Sequence, residues 1–343
     1  MQPIITNLHQ HSRPKIGLII VFIFLLITIL FLIIFSNKKN QQLAPPPLQS
    51  TPTPLNDISI IKVNQPPNFN SINLSAPNLF YAINQIDGSL IKITPEETTT
   101  IYSKPVESFS HLNSSLAIID KQNKNNLIIK NLNNNQNQTI DLKNISPIVS
   151  VSFSSNSAEL YLLANLNVIK RTTDLYYLSL ENPIPKKLTT TTATDLEVLS
   201  SQNILLFSYA DGEDLSQVSI YNLPTSTTTF TKNANRYFTS PNKISICTIS
   251  SQSFSIINLP DLSEQTLNIK KALGVYWIND SELVILKNSN EGVVQATITP
   301  LTTNPIFKAI PSLKDKTLRS ILGYADGQLY AINFYGQIIK TSI

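Results

Sequence analysis

The chain of 343 residues contains little cysteine, glycine and charge. Its one cysteine, Cys247, excludes an intramolecular disulfide. Only 14% of the residues are charged, against about 25% in an ordinary soluble domain, and Asn, Ser, Thr and Gln fill the deficit. The net charge is +4 and the basic residues are scattered, which argues against the basic stripe of a nucleic-acid-binding domain. With 8 glycines, tight turns must depend on Asn and Asp.

Residues suited to catalysis or metal binding are also scarce. His111 is the only histidine after residue 11, and its place at a strand end or turn favours a surface polar residue. Cys247 lies in the apolar run ISICTIS, so we interpret it as a buried packing residue. Asp211, Glu213 and Asp214 lack the ligand spacing of a calcium loop. The sequence therefore predicts no catalytic, cofactor-binding or metal-binding residue, and no cofactor.

One long apolar segment near the N-terminus predicts a membrane anchor. Residues 16–36 follow a short basic tail, residues 1–15, and contain no charge. About 20 such residues form a helix of roughly 30 Å, which matches the hydrocarbon core of a bilayer. The run is longer than the apolar region of a signal peptide, so we interpret it as an uncleaved anchor.

A spacer separates this segment from the rest of the chain. Residues 37–56 include QQLAPPPLQSTPTPL, whose prolines favour extended polyproline II structure. Arg13 and Lys15 before the anchor balance Lys38 and Lys39 after it, so charge counting alone does not set the orientation. The short basic tail favours a cytoplasmic N-terminus, and we expect residues 57–343 to lie outside the cytoplasm.

Residues 57–343 read as an all-β domain built from repeats. Short β-branched and aromatic runs alternate with Asn-, Ser-, Thr- and Pro-rich punctuation every eight to twelve residues. Five consecutive units of about 40 residues each contain four such runs: 106–142, 148–190, 195–232, 236–269 and 274–310. Four strands per unit indicate the blade of a β-propeller. We predict seven blades, with six or eight as alternatives.

The string YAIN occurs at 81–84 and again at 330–333. The first copy belongs to a first unit whose strands are predicted at 70–74, 78–84, 89–94 and 98–103. The second belongs to a last unit that has only three strands, at 318–323, 328–333 and 337–342. An unassigned run, Ile58–Val63, supplies the missing strand. We therefore predict that residues 57–63 pair with the C-terminal strand and close the ring.

Two strand–turn–strand segments carry a family resemblance. FSSNSAELYLL at 153–163 and TSPNKISICTI at 239–249 resemble the repeat hairpins of TolB-like and WD40-like propellers, although glycine is absent from both turns. The resemblance implies a propeller with a role in protein interaction at the cell envelope.

These observations favour a membrane-tethered propeller that binds a protein or a surface polymer on one face of its ring. One alternative is a propeller enzyme that acts on glycosides with two carboxylates. Another is a propeller that faces the cytoplasm and recruits soluble proteins. The side chains that line the central channel discriminate the enzyme from the scaffold.

Overall fold

The computed structural model describes residues 58–65, 67–209, 216–251, 253–267, 269, 272–287, 293–297, 306–310, 313 and 318–343. The predicted tail, anchor and spacer, residues 1–56, lie outside the described residues. Within the described part of the chain, no helix is long and apolar enough to cross a membrane.

The described strands form seven four-stranded antiparallel sheets. Sheet I contains β2 (Pro67–Ala76), β3 (Leu79–Asn84), β4 (Leu90–Ile93) and β5 (Thr98–Tyr102). Sheet II contains β6 (Val106–Leu112), β7 (Ser115–Asp120), β8 (Asn126–Asn131) and β9 (Asn137–Asp141). Sheet III contains β10 (Ile148–Phe153), β11 (Glu159–Asn167), β12 (Thr172–Ser179) and β13 (Lys186–Thr191). A 3-10 turn at Lys143–Ile145 links β9 to β10.

Sheets IV to VI follow the same order along the chain. Sheet IV contains β14 (Asp195–Val198), β15 (Asn203–Ser208), β16 (Gln217–Asn222) and β17 (Thr227–Asn233). Sheet V contains β18 (Arg236–Thr239), β19 (Ser245–Ile249), β20 (Phe254–Asn258) and β21 (Glu264–Leu267). Sheet VI contains β22 (Ala272–Trp277), β23 (Glu282–Lys287), β24 (Val293–Thr297) and β25 (Ile306–Ala309). Sheet VII contains β26 (Leu318–Ala325), β27 (Gln328–Asn333), β28 (Ile338–Ser342) and the N-terminal β1 (Ser59–Ile61).

Seven hydrophobic clusters hold the sheets together, and each cluster lies between two neighbouring sheets. Six join consecutive sheets from I to VII, and one joins sheet VII back to sheet I. The clusters therefore close a ring, which confirms the predicted all-β propeller. The second strand of each sheet is buried on both sides, since its side chains alternate between the two neighbouring sheets. In β3, for example, Phe80 faces sheet VII and Tyr81 faces sheet II.

The ring is closed by the N-terminal strand, as predicted. β1 pairs antiparallel with β28, and Ser59, Ile60 and Ile61 lie opposite Lys340, Ile339 and Ile338. The first strand of sheet I is longer than the predicted 70–74. β2 runs over ten residues, with register shifts on both sides of its central segment.

The two YAIN strings occupy the second strands of sheets I and VII, which are neighbours at the closure. Phe80 of β3 packs edge-on against Tyr330 of β27, with ring centroids 5.4 Å apart. The Tyr330 hydroxyl donates to Asn78 Oδ1 at 3.1 Å and accepts from the Asn78 amide at 3.2 Å. This tyrosine therefore joins the last sheet to the first.

The final residue of the string has a turn-forming role. Asn84 Oδ1 accepts the Ile86 amide at 3.0 Å, and Asn333 Oδ1 accepts the Tyr335 amide at the same distance. Asp120 fills this position in β7 and accepts the Gln122 amide at 2.8 Å. A short side chain with a carbonyl or carboxylate oxygen is needed because it closes the turn after the second strand.

The two hairpins that carry the family resemblance also form. In the turn from β10 to β11, Asn156 Oδ1 accepts the Ala158 amide at 3.0 Å. In the turn from β18 to β19, Ser240 Oγ accepts the Ser245 amide at 3.0 Å. Lys243 adopts a positive φ of 54° there, in a turn where the resembling repeats carry glycine.

Candidate functional site

The connections between strands lie at two opposite edges of the ring. Because neighbouring strands are antiparallel, the turn from the second to the third strand lies at the same edge as the connection that leaves the fourth strand. The other two turns of each sheet lie at the opposite edge. The two edges differ in charge and in exposed apolar side chains, and they form the two faces of the propeller.

The first face carries basic residues. Its described connections contain seven basic side chains and one acidic side chain, Asp87: the basic ones are Lys62, Lys104, Lys121, Lys124, Lys143, Lys170 and Arg171. The same connections expose large apolar side chains, namely Ile86, Leu166 at the end of β11, Val168, Ile169, Tyr209, Phe334 and Tyr335. We call this surface the basic–apolar face.

The most prominent part of this face is the β11–β12 hairpin. β11 has nine residues, whereas the second strands of the other sheets have five or six. Val168 and Ile169 occupy its tip with exposures of 76% and 96%. Lys170 and Arg171 follow directly and are exposed. The hairpin therefore projects an apolar pair with two adjacent positive charges.

The opposite surface, which we call the acidic face, has the reverse charge. Its described connections contain six acidic residues, Glu96, Glu97, Glu181, Asp261, Asp280 and Asp326, and one basic residue, Lys243. Lys243 forms an ion pair of 3.3 Å with Glu197. Two apolar side chains, Ile184 and Ile244, are exposed there. The chain enters β1 at this edge, because Ile61 rather than Ser59 lies beside the β27–β28 turn.

A cavity of about 670 Å³ opens at the basic–apolar face between sheets I and II. Three segments form its wall. Ile86 and Asp87 come from the turn between β3 and β4, Pro105 directly precedes β6, and Lys121 begins the turn between β7 and β8. This volume is in the range of small-ligand sites.

Backbone contacts fix the shape of this cavity. The Val106 amide donates to the Gly88 carbonyl at 2.8 Å, and the Lys121 amide donates to the Pro105 carbonyl at 2.8 Å. Gly88 has a φ of +75°, and a Cβ at this position would lie 3.1 Å from the Pro105 Cβ. A side chain at residue 88 would therefore strain both the turn and the wall.

A second cavity of about 350 Å³ lies along the first strands of sheets I to IV. Two carboxylates, Glu107 and Asp195, line it together with hydroxyl and amide groups from Ser71, Asn73, Ser108, Ser150 and Thr194. Glu107 forms an ion pair of 2.7 Å with Lys124. The lining is therefore mostly of the uncharged polar kind, with one carboxylate paired to a lysine.

The Asp195 side chain is exposed to solvent within the cavity, but many protein atoms lie around its carboxylate and partly desolvate it. Its Oδ1 accepts the Ser150 hydroxyl at 2.7 Å and the Leu196 amide at 2.9 Å. Burial raises the pKa of this carboxyl above its ordinary value, although both hydrogen bonds oppose the shift. Burial, together with the charges of Asp195 and Glu197, also raises the pKa of Tyr237 well above its ordinary value.

The structure corrects the interpretation of His111 as a surface residue. His111 lies in β6 and is half-buried, with its ring centroid 5.0 Å from that of Tyr81. Its Nε2 lies 3.3 Å from Ser75 Oγ, and burial lowers the pKa of the imidazole. Its contacts pack sheet II against sheet I.

Cys247 is fully buried in β19, as predicted, and burial raises the pKa of its thiol well above the ordinary value. The single tryptophan, Trp277, is also buried and donates from Nε1 to the Phe238 carbonyl at 3.0 Å, which links sheets VI and V. Asp211, Glu213 and Asp214 lie outside the described residues. Among the described residues, no group of three His, Cys, Asp or Glu side chains is placed to hold a metal ion.

The sequence analysis did not predict that the two faces carry opposite charge, although the positions of the charged residues contain this information. Once the strands are assigned, alternate connections belong to opposite edges. Sorting the charged residues by that rule separates Lys121 and Lys170 from Glu96 and Asp261. Charge counted along the chain, without this sorting, showed only scattered lysines.

The chain matches no known family model and no curated protein. Its fold is similar to that of several solved structures. A chain of the mitotic checkpoint complex has a TM-score of 0.60 and 11% identity, with 88% of this chain and 97% of that chain covered. The WD40 repeats of RRP9 give a TM-score of 0.54 and 12% identity, with 83% and 97% covered. A hydrazine synthase chain of Kuenenia stuttgartiensis gives 0.56 and 9%, with 87% and 99% covered.

At these identities the similarity shows the fold alone. The neighbours support the β-propeller fold, and they include a chain of a named complex as well as a chain of an enzyme. The function must therefore be argued from the surfaces of this chain.

Proposed function

We propose that this chain is a seven-bladed, membrane-tethered scaffold that binds a protein or a surface polymer at the cell envelope. The supporting observation is the opposite charge of its two faces, because one rigid ring with two such faces can contact two different surfaces at once. Residues 16–36 are the proposed anchor and residues 37–56 the spacer. The propeller lies outside the cytoplasm and the N-terminus inside it.

The proposed partner contacts the acidic face. Glu96, Glu97, Glu181, Asp261 and Asp326 are exposed there, and few basic residues neutralise them. Charge complementarity selects partners and speeds their encounter. We therefore expect a partner segment with cationic groups, either a lysine- or arginine-bearing polypeptide or an amine-bearing polymer.

The test is affinity capture of the full chain from its native membrane. The variant Glu96→Lys/Glu97→Lys/Asp326→Lys reverses the charge of the acidic face at exposed positions, and it should lose the captured partner. A matched variant on the other face, Lys104→Glu/Lys121→Glu/Lys143→Glu, should retain it. Equal capture by both variants would refute the assignment of the partner to the acidic face.

The orientation of the propeller is tested separately by thiol labelling of intact cells. Ser50→Cys places a reactive thiol in the spacer, whereas buried Cys247 should take no label in the unsubstituted chain. We expect Ser50→Cys to react with a membrane-impermeant reagent before lysis. Labelling only after lysis would instead support the cytoplasm-facing alternative, a platform that recruits soluble proteins.

A second candidate function, a carboxylate-based glycoside enzyme, is favoured by one observation. Glu107 and Asp195 line the same cavity, and burial raises the pKa of Asp195, as a general acid requires. The test is hydrolysis of a glycoside panel by the chain and by Asp195→Asn and Glu107→Gln. Activity that both changes abolish would establish the enzyme, and its absence across the panel would leave the scaffold.

A further inference from the structure

We infer that the basic–apolar face rests on a lipid bilayer that carries anionic headgroups, with the tip of the β11–β12 hairpin inserted into the interface. The inference names a second ligand, distinct from the partner of the acidic face. It depends on the proposed tether only in that the tether keeps the propeller close to a membrane.

The hairpin has the composition of an interfacial anchor. Val168 and Ile169 are exposed at its tip, where water contact is unfavourable for both side chains. The Lys170 amide donates to Asn167 Oδ1 at 2.9 Å, and Arg171 has a positive φ of 52°, so the turn has a defined shape. Apolar tips beside basic side chains bind membranes by combined burial and attraction to anionic lipids.

Three neighbouring sheets extend the same chemistry around the ring. Sheet II exposes Lys121, sheet I exposes Ile86, and sheet VII exposes Phe334 and Tyr335 in the turn from β27 to β28. Lys104 and Lys143 lie at the same edge between sheets I and II and between sheets II and III. Sheets VII, I, II and III are consecutive in the ring, so these side chains form one side of the basic–apolar face.

This pattern favours a bilayer over a soluble polyanion. A soluble polyanion would account for the lysines but not for the apolar tips, and Ile169 is exposed to 96%. Lysine and arginine side chains near an anionic leaflet are attracted to its headgroups. A bilayer accounts for both the basic and the apolar side chains. Its anionic headgroups pair with the basic residues, and its interfacial region buries Val168, Ile169, Phe334 and Tyr335.

The length of the spacer is compatible with this contact. The chain joins the propeller at the acidic edge, through Ser59. A chain of 20 residues, the length of 37–56, can span at most roughly 60 Å. A strand of six residues spans only about 20 Å, so the length of this segment does not prevent contact of the basic–apolar face with a bilayer.

The experiment places a polarity-sensitive fluorophore at the hairpin tip. The full chain with Ile169→Cys is labelled and reconstituted into vesicles of phosphatidylcholine alone or with phosphatidylglycerol, with and without brominated lipid as a quencher. We expect a blue shift and quenching by brominated lipid in the anionic vesicles. The matched control is Ile184→Cys, because Ile184 is an apolar residue on the acidic face with 70% exposure, and its label should not respond.

A charge variant makes the test specific. Lys170→Glu/Arg171→Glu should lower the bound fraction of the tip by roughly tenfold or more, since each lost positive charge removes part of the attraction to the leaflet. Glu96→Lys/Glu97→Lys on the acidic face should not lower it. The unsubstituted chain should take no label, because its one cysteine is buried.

Three results would overturn the inference. These are no response at position 169 in anionic vesicles, an equal response at positions 169 and 184, or an equal response in neutral and anionic vesicles. Flotation of the chain with vesicles reports the anchor independently of the label. If the chain does not float on its own anchor, the proposed tether fails, and the labelled chain added to preformed anionic vesicles still tests the hairpin.

Discussion

Sheets VII and III of the same ring are stabilised in different ways. Sheet VII combines the two ends of the chain, and its outer strand β1 has only three paired residues. Sheet III is continuous in sequence, and β11 and β12 have nine and eight residues. Sheet III also contains a polar network around one buried carboxylate, that of Asp174, whereas sheet VII depends on packing against sheet I.

The polar network of sheet III is centred on Asp174 in β12. Its carboxylate accepts hydrogen bonds from Asn165 Nδ2 at 2.9 Å and Thr190 Oγ1 at 2.7 Å, and it forms an ion pair of 2.8 Å with Lys187. Burial opposes ionisation of Asp174, but these three partners outweigh burial and lower its pKa. One sheet is therefore secured by a local network, and the other by contacts between distant parts of the chain.

The comparison indicates that the closure of the ring, where β1 pairs with β28, tolerates the loss of a structural element less well than sheet III does. The three pairs of β1 are the only strand pairing, among the described strands, that joins the N-terminal end to the C-terminal end. Loss of β1 would expose the β28 edge and remove the direct connection between the first and last sheets. Loss of one partner in sheet III leaves all four strands in place.

The largest effect is expected from deletion of residues 56–64. The deletion removes β1 and the packing of Ile58 and Ile61, which together should cost roughly 4–6 kcal/mol. Thermal unfolding should show a melting temperature lower by about 10 °C or more. Deletion of nine spacer residues, 42–50, is the control and should leave it unchanged. An unchanged value in the first deletion would contradict the assigned role of β1.

In sheet III, Asp174→Ala should be the most damaging single change. It leaves the Asn165 amide and the Thr190 hydroxyl without their acceptor and removes the partner of Lys187, at a cost of about 2–3 kcal/mol, because water reaches all three partners. Chemical denaturation measures this directly. A cost below about 1 kcal/mol would mean that the network does not hold the interior of the sheet.

A smaller loss is expected at the closure from Gly323→Ala. A Cβ at residue 323 would lie 2.9 Å from the Leu74 Cβ and closer still to its Cδ2, so β26 and β2 would have to separate. Such overpacking costs about 1–3 kcal/mol. Gly274→Ala is the matched control, since a Cβ there meets nothing within 4 Å, and equal effects of the two changes would exclude a close contact as the cause.

Acid should weaken the network of sheet III. The pKa of Asp174 is lowered from 3.8, so its contribution is fully present above that pH and disappears as the pH falls through the folded-state pKa. The stability difference between the chain and Asp174→Asn should therefore shrink below about pH 3.8. A difference that stays constant between pH 7 and pH 2 would contradict an ionised Asp174 as the source of the stability.

The smallest effect is expected from Lys187→Met. The lysine side chain is 49% exposed, so water screens the ion pair, and only a small loss of stability is expected. Asn165 and Thr190 still donate to Asp174 in this variant. A loss as large as that of Asp174→Ala would show that the ion pair, rather than the hydrogen bonds, holds the network.

The sequence was sufficient to predict most of the fold. Apolar alternation and polar punctuation predicted the described strands, and the predicted unit 106–142 contains β6 to β9. The repeated YAIN led to the pairing of β1 with β28. Local pattern was sufficient because each sheet is a continuous run of four strands, except at the closure.

Features that depend on distant residues could not be predicted in this way. The contact between Gly323 and Leu74 joins opposite ends of the propeller sequence. The partners of Asp174 come from β13 and from the bulged part of β11, where a register shift decides which side chains meet. The half-buried position of His111 likewise depends on Tyr81 of the neighbouring sheet.

The antiparallel pairing of Ser59 with Lys340 has a consequence for circular permutation. It brings the first and last strands of the ring side by side, so a short linker could join Ile343 to Ile58 and make sheet VII continuous. New ends placed in the exposed connection at 181–185 would then make sheet III the one assembled from both termini. The sheet in which the two chain ends meet is therefore set by where the chain is cut, and the blades themselves do not require it to be sheet VII.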